Sequence, residues 1–190
     1  MLAALALTSC SKTVQWEEEV PLNTGESIWV KRSVDYTLQG GAGNPFDIAY
    51  RPEWVEKLQF EWGGKKYVYE GDARVILLAI SPQQQPVLVA PAADSSWHHA
   101  HNYKCTVPFY VQLVPDATGK TWTWPPAIEP WLFGLTYNLM RTRKPPTEMA
   151  KLVTAPTRNM ADESGSIQTP SQAKIDPTHK ADRGTCIKGN

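Results

Sequence analysis

Leu58-Gln59-Phe60-Glu61-Trp62-Gly63-Gly64-Lys65-Lys66-Tyr67-Val68-Tyr69-Glu70 decides the class of the fold. Large apolar side chains alternate with polar ones on both sides of a Gly-Gly pair, the pattern of two half-buried strands joined by a turn that needs positive φ. After a second turn at Gly71-Asp72 the alternation stops. Val75-Ile76-Leu77-Leu78-Ala79-Ile80 is continuously apolar, too short to cross a bilayer and bounded by Ser81-Pro82, so it predicts a strand covered on both faces. Pro86-Val87-Leu88-Val89-Ala90 then returns along it.

Moving toward the N-terminus, Ile28, Val30, Val34, Tyr36 and Leu38 fall on alternate positions, the period of a long strand with one face in the core. Val14 to Val20 predicts a shorter strand in which Trp16 and Val20 share a face. Arg32 interrupts the apolar series. It either lies near the strand's mouth or pairs with a carboxylate such as Glu17, Glu18 or Glu19, and structural pairing is preferred to catalysis. Arg51 to Glu56 is read as extended chain feeding the hairpin, with one helical turn as the alternative. Toward the C-terminus, Val107, Phe109, Val111 and Leu113 alternate, Pro115 to Lys120 turns the chain, and Thr121-Trp122-Thr123-Trp124 runs back. Trp131 to Met140 is apolar and closes the domain as a short helix or an irregular plug. The fold class is therefore mainly β: an antiparallel β-sandwich or partly open barrel of about 7–9 strands. Its core includes Trp62, Trp122 and Trp124.

The 190 residues suffice for one domain. The 19 basic and 19 acidic residues cancel, so no overall field favours nucleic acid or an anionic membrane. All 19 aromatic residues lie between Trp16 and Tyr137. Residues 141–190, rich in Pro, Ser, Thr and Lys, lack the apolar surface to offset the entropy of ordering and are expected to be a disordered tail behind a β-rich domain at 14–140. Neither glycine-rich stretch is a phosphate loop. Gly40-Gly41-Ala42-Gly43 runs into Asn44-Pro45 with no helix start, and Val114 stands where a loop ending in Gly119-Lys120-Thr121 needs its first glycine.

Met1-Leu2-Ala3-Ala4-Leu5-Ala6-Leu7 is an apolar run followed at once by Leu7-Thr8-Ser9-Cys10. This resembles the lipobox of bacterial lipoproteins. The resemblance implies that residues 1–9 are a truncated signal peptide, that Cys10 receives a diacylglyceryl group, and that 10–13 form a lipidated tether. It also implies the outer membrane as the address, since Ser11 and not aspartate follows the cysteine. No Lys or Arg precedes the run, so the basic segment of such signals is expected upstream of Met1. Trp16-Glu17-Glu18-Glu19-Val20 and Asn23 to Arg32 also resemble uncharacterised proteobacterial proteins, which agrees with an envelope setting and implies no activity.

Trp97-His98-His99-Ala100-His101, with Cys105 four residues on, carries three of the four histidines. Imidazoles and a thiolate suit zinc or copper, but the spacing matches no strong zinc signature, and a solvated loop is the preferred reading, with no cofactor. With Cys10 consumed by lipid, Cys105 and Cys186 remain as a candidate disulfide in an oxidising compartment. Three functions follow. The first is a non-enzymatic binding or structural protein, held to the membrane by its lipid and engaging an envelope protein or glycan. The second is a metal-binding envelope protein using His98, His99, His101 and Cys105. The third, for an accidental lipobox, is a cytosolic scaffold.

Overall fold

The computed structural model describes residues 11–41, 44–92, 107–142, 152–153, 167–168 and 173–180. β1 (Ser11–Pro21), β2 (Ser27–Gly41), β3 (Asn44–Trp62) and β4 (Lys65–Gly71) run up and down as one antiparallel sheet. The central hairpin is as the alternation predicts. Trp62 pairs with Lys65 across Gly63 and Gly64, whose φ values of 56° and 73° are those of a tight two-residue hairpin turn. β5 (Leu77–Ile80), β6 (Pro86–Pro91), β7 (Tyr110–Pro115) and β8 (Trp122–Thr123) form a second antiparallel meander. β9 (Arg141–Thr142) pairs with β11 (Ile167–Gln168), and β10 (Leu152–Val153) lies parallel to β1 on the outer side of the first sheet. The arrangement is a sandwich and not a closed barrel.

Val20, Val30, Leu58, Phe60, Tyr67 and Tyr69 from the first sheet meet Leu78, Ile80, Leu88, Phe109, Val111 and Leu113 from the second in the main core. The other face of the second sheet is buried as well. Ile76, Leu77, Ala79, Val87, Val89 and Tyr110 pack under Ile128, Leu132 and Ile175, which explains why β5 and β6 read as unbroken apolar runs. The covering layer begins with a single 3-10 turn at Pro130–Leu132 and continues irregularly to Met140, the plug of the two readings offered for this segment.

Several expectations are corrected by this layer and by the strand ends. The tail is not wholly without structure: Ile175 is buried, its main chain exchanges bonds of 2.9 Å with Gly134 and Leu135, Phe109 N donates to His179 O, and the Tyr110 and His179 rings stack at 4.7 Å. The domain therefore takes in residues 173–180, and its boundary does not fall at 140. Nor are residues 11–13 a tether, because Ser11, Lys12 and Thr13 pair with Thr37, Tyr36 and Asp35 in β2. Trp124 is exposed, Trp62 and Trp122 are only partly buried, and Leu38 lies beyond the core.

Among the described residues, the edges at β4 and β5 are met by a turn and by side chains instead of by a further strand. At β4, Val68 N donates to Gly119 O and Trp122 Nε1 donates to Val68 O at 2.8 Å. Gly119 has a φ of +75°, and a Cβ there would stand 2.9 Å from the Lys66 carbonyl oxygen, so the close approach needs glycine. At β5 two asparagine side chains stand in for a neighbouring strand. Asn23 donates to Ile80 O and accepts from Ile80 N; Asn138 donates to Leu78 O and to Pro21 O and accepts from Leu78 N, all within 2.7–2.9 Å.

The docked 173–180 segment supplies a first prediction. Ile175→Ala is expected to lower stability by about 2 kcal/mol, near the lower limit for such truncations because an irregular layer can collapse onto the gap. A urea midpoint unchanged from wild type would show that the segment does not hold the second sheet.

Candidate functional site

Period 2 puts Glu18 on the same face of β1 as Trp16 and Val20, and puts Arg32 on the core face of β2 between Val30 and Val34. In β3 the inward series Phe60, Leu58 continues to Glu56. Three strands thus deliver two carboxylates and one guanidinium to one buried point, where Glu18 is 0% and Arg32 3% exposed. Arg32 Nη1 donates to Glu18 Oε1 at 3.0 Å and to the Met140 carbonyl, while Nη2 donates to Glu56 Oε2. The remaining carboxylate oxygens accept main-chain N–H groups, Glu18 Oε2 from Met140 at 3.2 Å and Glu56 Oε1 from Val75 at 2.9 Å. The guanidinium carbon stands 5.1 Å from the centre of the Trp16 ring, in cation–π range. Burial alone would push the Arg32 guanidinium down, and the attraction of Glu56 and Glu18 outweighs it, so the group is held above its ordinary value. Beside it, burial and then the Glu56 charge raise the Tyr69 phenol, whose hydroxyl bonds the main chain of Ala73. Each carboxylate in this centre is engaged by Arg32 and by backbone, an arrangement suited to fixing β1, β2 and β3 against the chain entering β5 and leaving at Met140.

The outward face of the same sheet has different chemistry. Two rungs cross it: Gln15, Ser33, Lys57 and Glu70 in one, Glu17, Lys31, Gln59 and Val68 in the other. All of these except Glu70 line an open hollow of about 570 Å³. Lys31 lies 3.2 Å from Glu17 and Lys57 2.9 Å from Glu70, pairs exposed enough to add little to stability and to be re-formed around a ligand. Trp29, two residues from Lys31 on the same face and opposite Glu19, is 45% exposed. Amides, a hydroxyl and charges of both signs beside an open indole make a surface able to hold a polar, ring-containing chain.

Arg32 pairs with Glu18, as one of the two readings of it expected, and takes Glu56 as a second partner that the sequence reading did not include. The signal for Glu18 was present: Trp16 and Val20 share a face only if Glu18 shares it too, opposite an inward arginine. Cys10, His98, His99, His101, Cys105 and Cys186 lie outside the described residues. Among the described residues no group of three or more His, Cys, Asp or Glu is placed to hold a metal ion, and no helix is long and apolar enough to cross a membrane. No protein-family model, curated protein or solved structure matches the chain.

Proposed function

We propose that the protein is a lipid-anchored binding module of the bacterial envelope, held at Cys10 and carrying a glycan on the outward face of its first sheet. The observation that carries the binding role is the open hollow lined by Gln15, Ser33, Lys31 and Gln59, with Trp29 exposed on the same face. A sugar ring has an apolar face that stacks on indole and a rim of hydroxyls that bond amides and charged groups. The buried Arg32 centre ties β1, β2 and β3 together beneath this surface, which limits the ordering that binding there would cost. The anchor is supported by Leu7-Thr8-Ser9-Cys10, and two or three acyl chains on one cysteine give stable attachment where a single chain would not.

Two experiments test the parts separately. Growth with a clickable fatty acid is expected to label the wild-type protein and not Cys10→Ala; label persisting in the variant would remove the anchor. For the glycan, the unacylated domain is incubated with insoluble peptidoglycan and with envelope polysaccharide. Trp29→Ala is expected to weaken retention about tenfold, the loss of one stacking contact of about 1.4 kcal/mol, with an unchanged urea midpoint. Equal retention of wild type and variant, or none of either, would count against the glycan.

A further inference from the structure

The exposed apolar residues outside the two sheets' contacts concentrate at one place, the long hairpin of β2 and β3. This ribbon continues past Tyr36, the last buried residue of β2, to Gly41, roughly 17 Å at about 3.4 Å per residue. Leu38 pairs with Tyr50 and Gly40 with Ile48, so these side chains follow Tyr36 on one face. Leu38 is 42%, Tyr50 41% and Ile48 60% exposed. On the opposite face of β2 stand Thr37 and Gln39, which bond each other at 2.9 Å. The arm is amphipathic across its thickness.

What covers the apolar face is indicated by where β1 begins. Ser11 is paired with Thr37, the residue next to Leu38. Cys10 is one peptide unit away, about 3.8 Å between Cα atoms. Because Ser11, Lys12 and Thr13 are fixed in the ladder to β2, no slack separates the lipid-bearing residue from the root of the arm. An acyl chain carried by Cys10 would start one residue beyond the Ser11–Thr37 pair, at the root of the arm. The exposed Lys12, paired with Tyr36 at the same root, adds a cation there, of the charge that anionic lipid headgroups attract.

We propose that the Leu38, Tyr50 and Ile48 face of the β2–β3 arm lies in the headgroup–acyl boundary of the membrane that holds the acylated Cys10, as a second contact fixing the domain's orientation. This rests on the acylation proposed above. Among the described residues no strand pairs with the outer edges of this part of the ribbon, so it is placed in the wet boundary and does not span. A tyrosine among aliphatic residues suits that depth.

The test uses the full chain, acylated and reconstituted into vesicles of phosphatidylethanolamine and phosphatidylglycerol, with Cys105 and Cys186 changed to serine. A polarity-sensitive dye is attached at Ile48→Cys or, on the opposite face, at Gln39→Cys. The dye at 48 is expected to brighten about threefold over the dye at 39, to shift to the blue, and to be quenched by nitroxide-bearing lipid, as an apolar face in the boundary requires. Both dyes remaining in water on protein whose mass shows the acyl group would overturn the arm contact and leave the anchor standing. An unacylated mass removes the anchor and this inference with it. A concentration-dependent blue shift at 48 without vesicles would mean that two arms pair with each other, which also overturns it.

Discussion

Arg32→Leu is expected to destabilise the domain by about 3–5 kcal/mol, the largest loss from any single substitution proposed for this protein. The cost comes from the partners and not from the arginine. With the guanidinium gone, Glu18 and Glu56 face each other's charge in a site closed to water, and the Met140 carbonyl loses its donor. Changing all three residues together separates an ion-pair cost from a packing cost. In Glu18→Gln/Arg32→Met/Glu56→Gln the amide oxygens still accept from Met140 N and Val75 N, the freed Met140 carbonyl takes an amide hydrogen, and no charge is left buried. The triple variant is expected to recover at least about half of the loss. Denaturation in urea reads both. An Arg32→Leu loss below about 1 kcal/mol would mean that the three groups are solvated and the centre is not closed.

Asn138→Ala is expected to cost roughly 2–4 kcal/mol, because one side chain serves a donor and two acceptors that otherwise lie at the edge of β5 and the end of β1. Asn138→Asp makes the sharper case. It keeps the acceptor for Leu78 N but turns a carboxylate oxygen toward the carbonyls of Leu78 and Pro21, where the amide had hydrogens. It is therefore expected to be at least as unstable as the alanine variant at neutral pH, with faster hydrogen exchange at the Leu78 amide. An aspartate variant as stable as wild type would show that the asparagine does not stand in for a strand.

What the residues disclose about this fold follows the distance over which they act. The Leu58 to Glu70 hairpin, the doubly covered β5 and the return of β6 are local patterns of alternation and turn chemistry, and the structure contains them where they were read. Glu56 is different. An acidic residue at the next inward position of β3 looks like the end of the buried stretch, and only its meeting with Arg32, 24 residues away, reverses that reading. Asn23 and Asn138 act across 57 and 60 residues through amides that leave no periodic trace, so neither was singled out. The docking of 173–180 was missed for a related reason. Its attachment is largely main chain to main chain, with Ile175 alone among polar neighbours, and composition registers only side chains. The hollow leaves no trace in the sequence, because Gln15, Ser33, Lys57 and Gln59 are ordinary solvent-face residues until three strands place them side by side. The length of the arm shows only in the pairing of β2 with β3.

The second sheet, lying as a middle layer, divides the molecule's genetics. Along β5 and β6 every side chain from Leu77 to Ile80 and from Pro86 to Ala90 is enclosed, so neither parity of position is free to vary. Along β1 and β2 odd and even positions belong to different environments, one facing the interior and the other the solvent. A saturation library scored by cellular abundance is therefore expected to show two solid blocks of intolerance in the middle of the chain and a picket-fence pattern ahead of them.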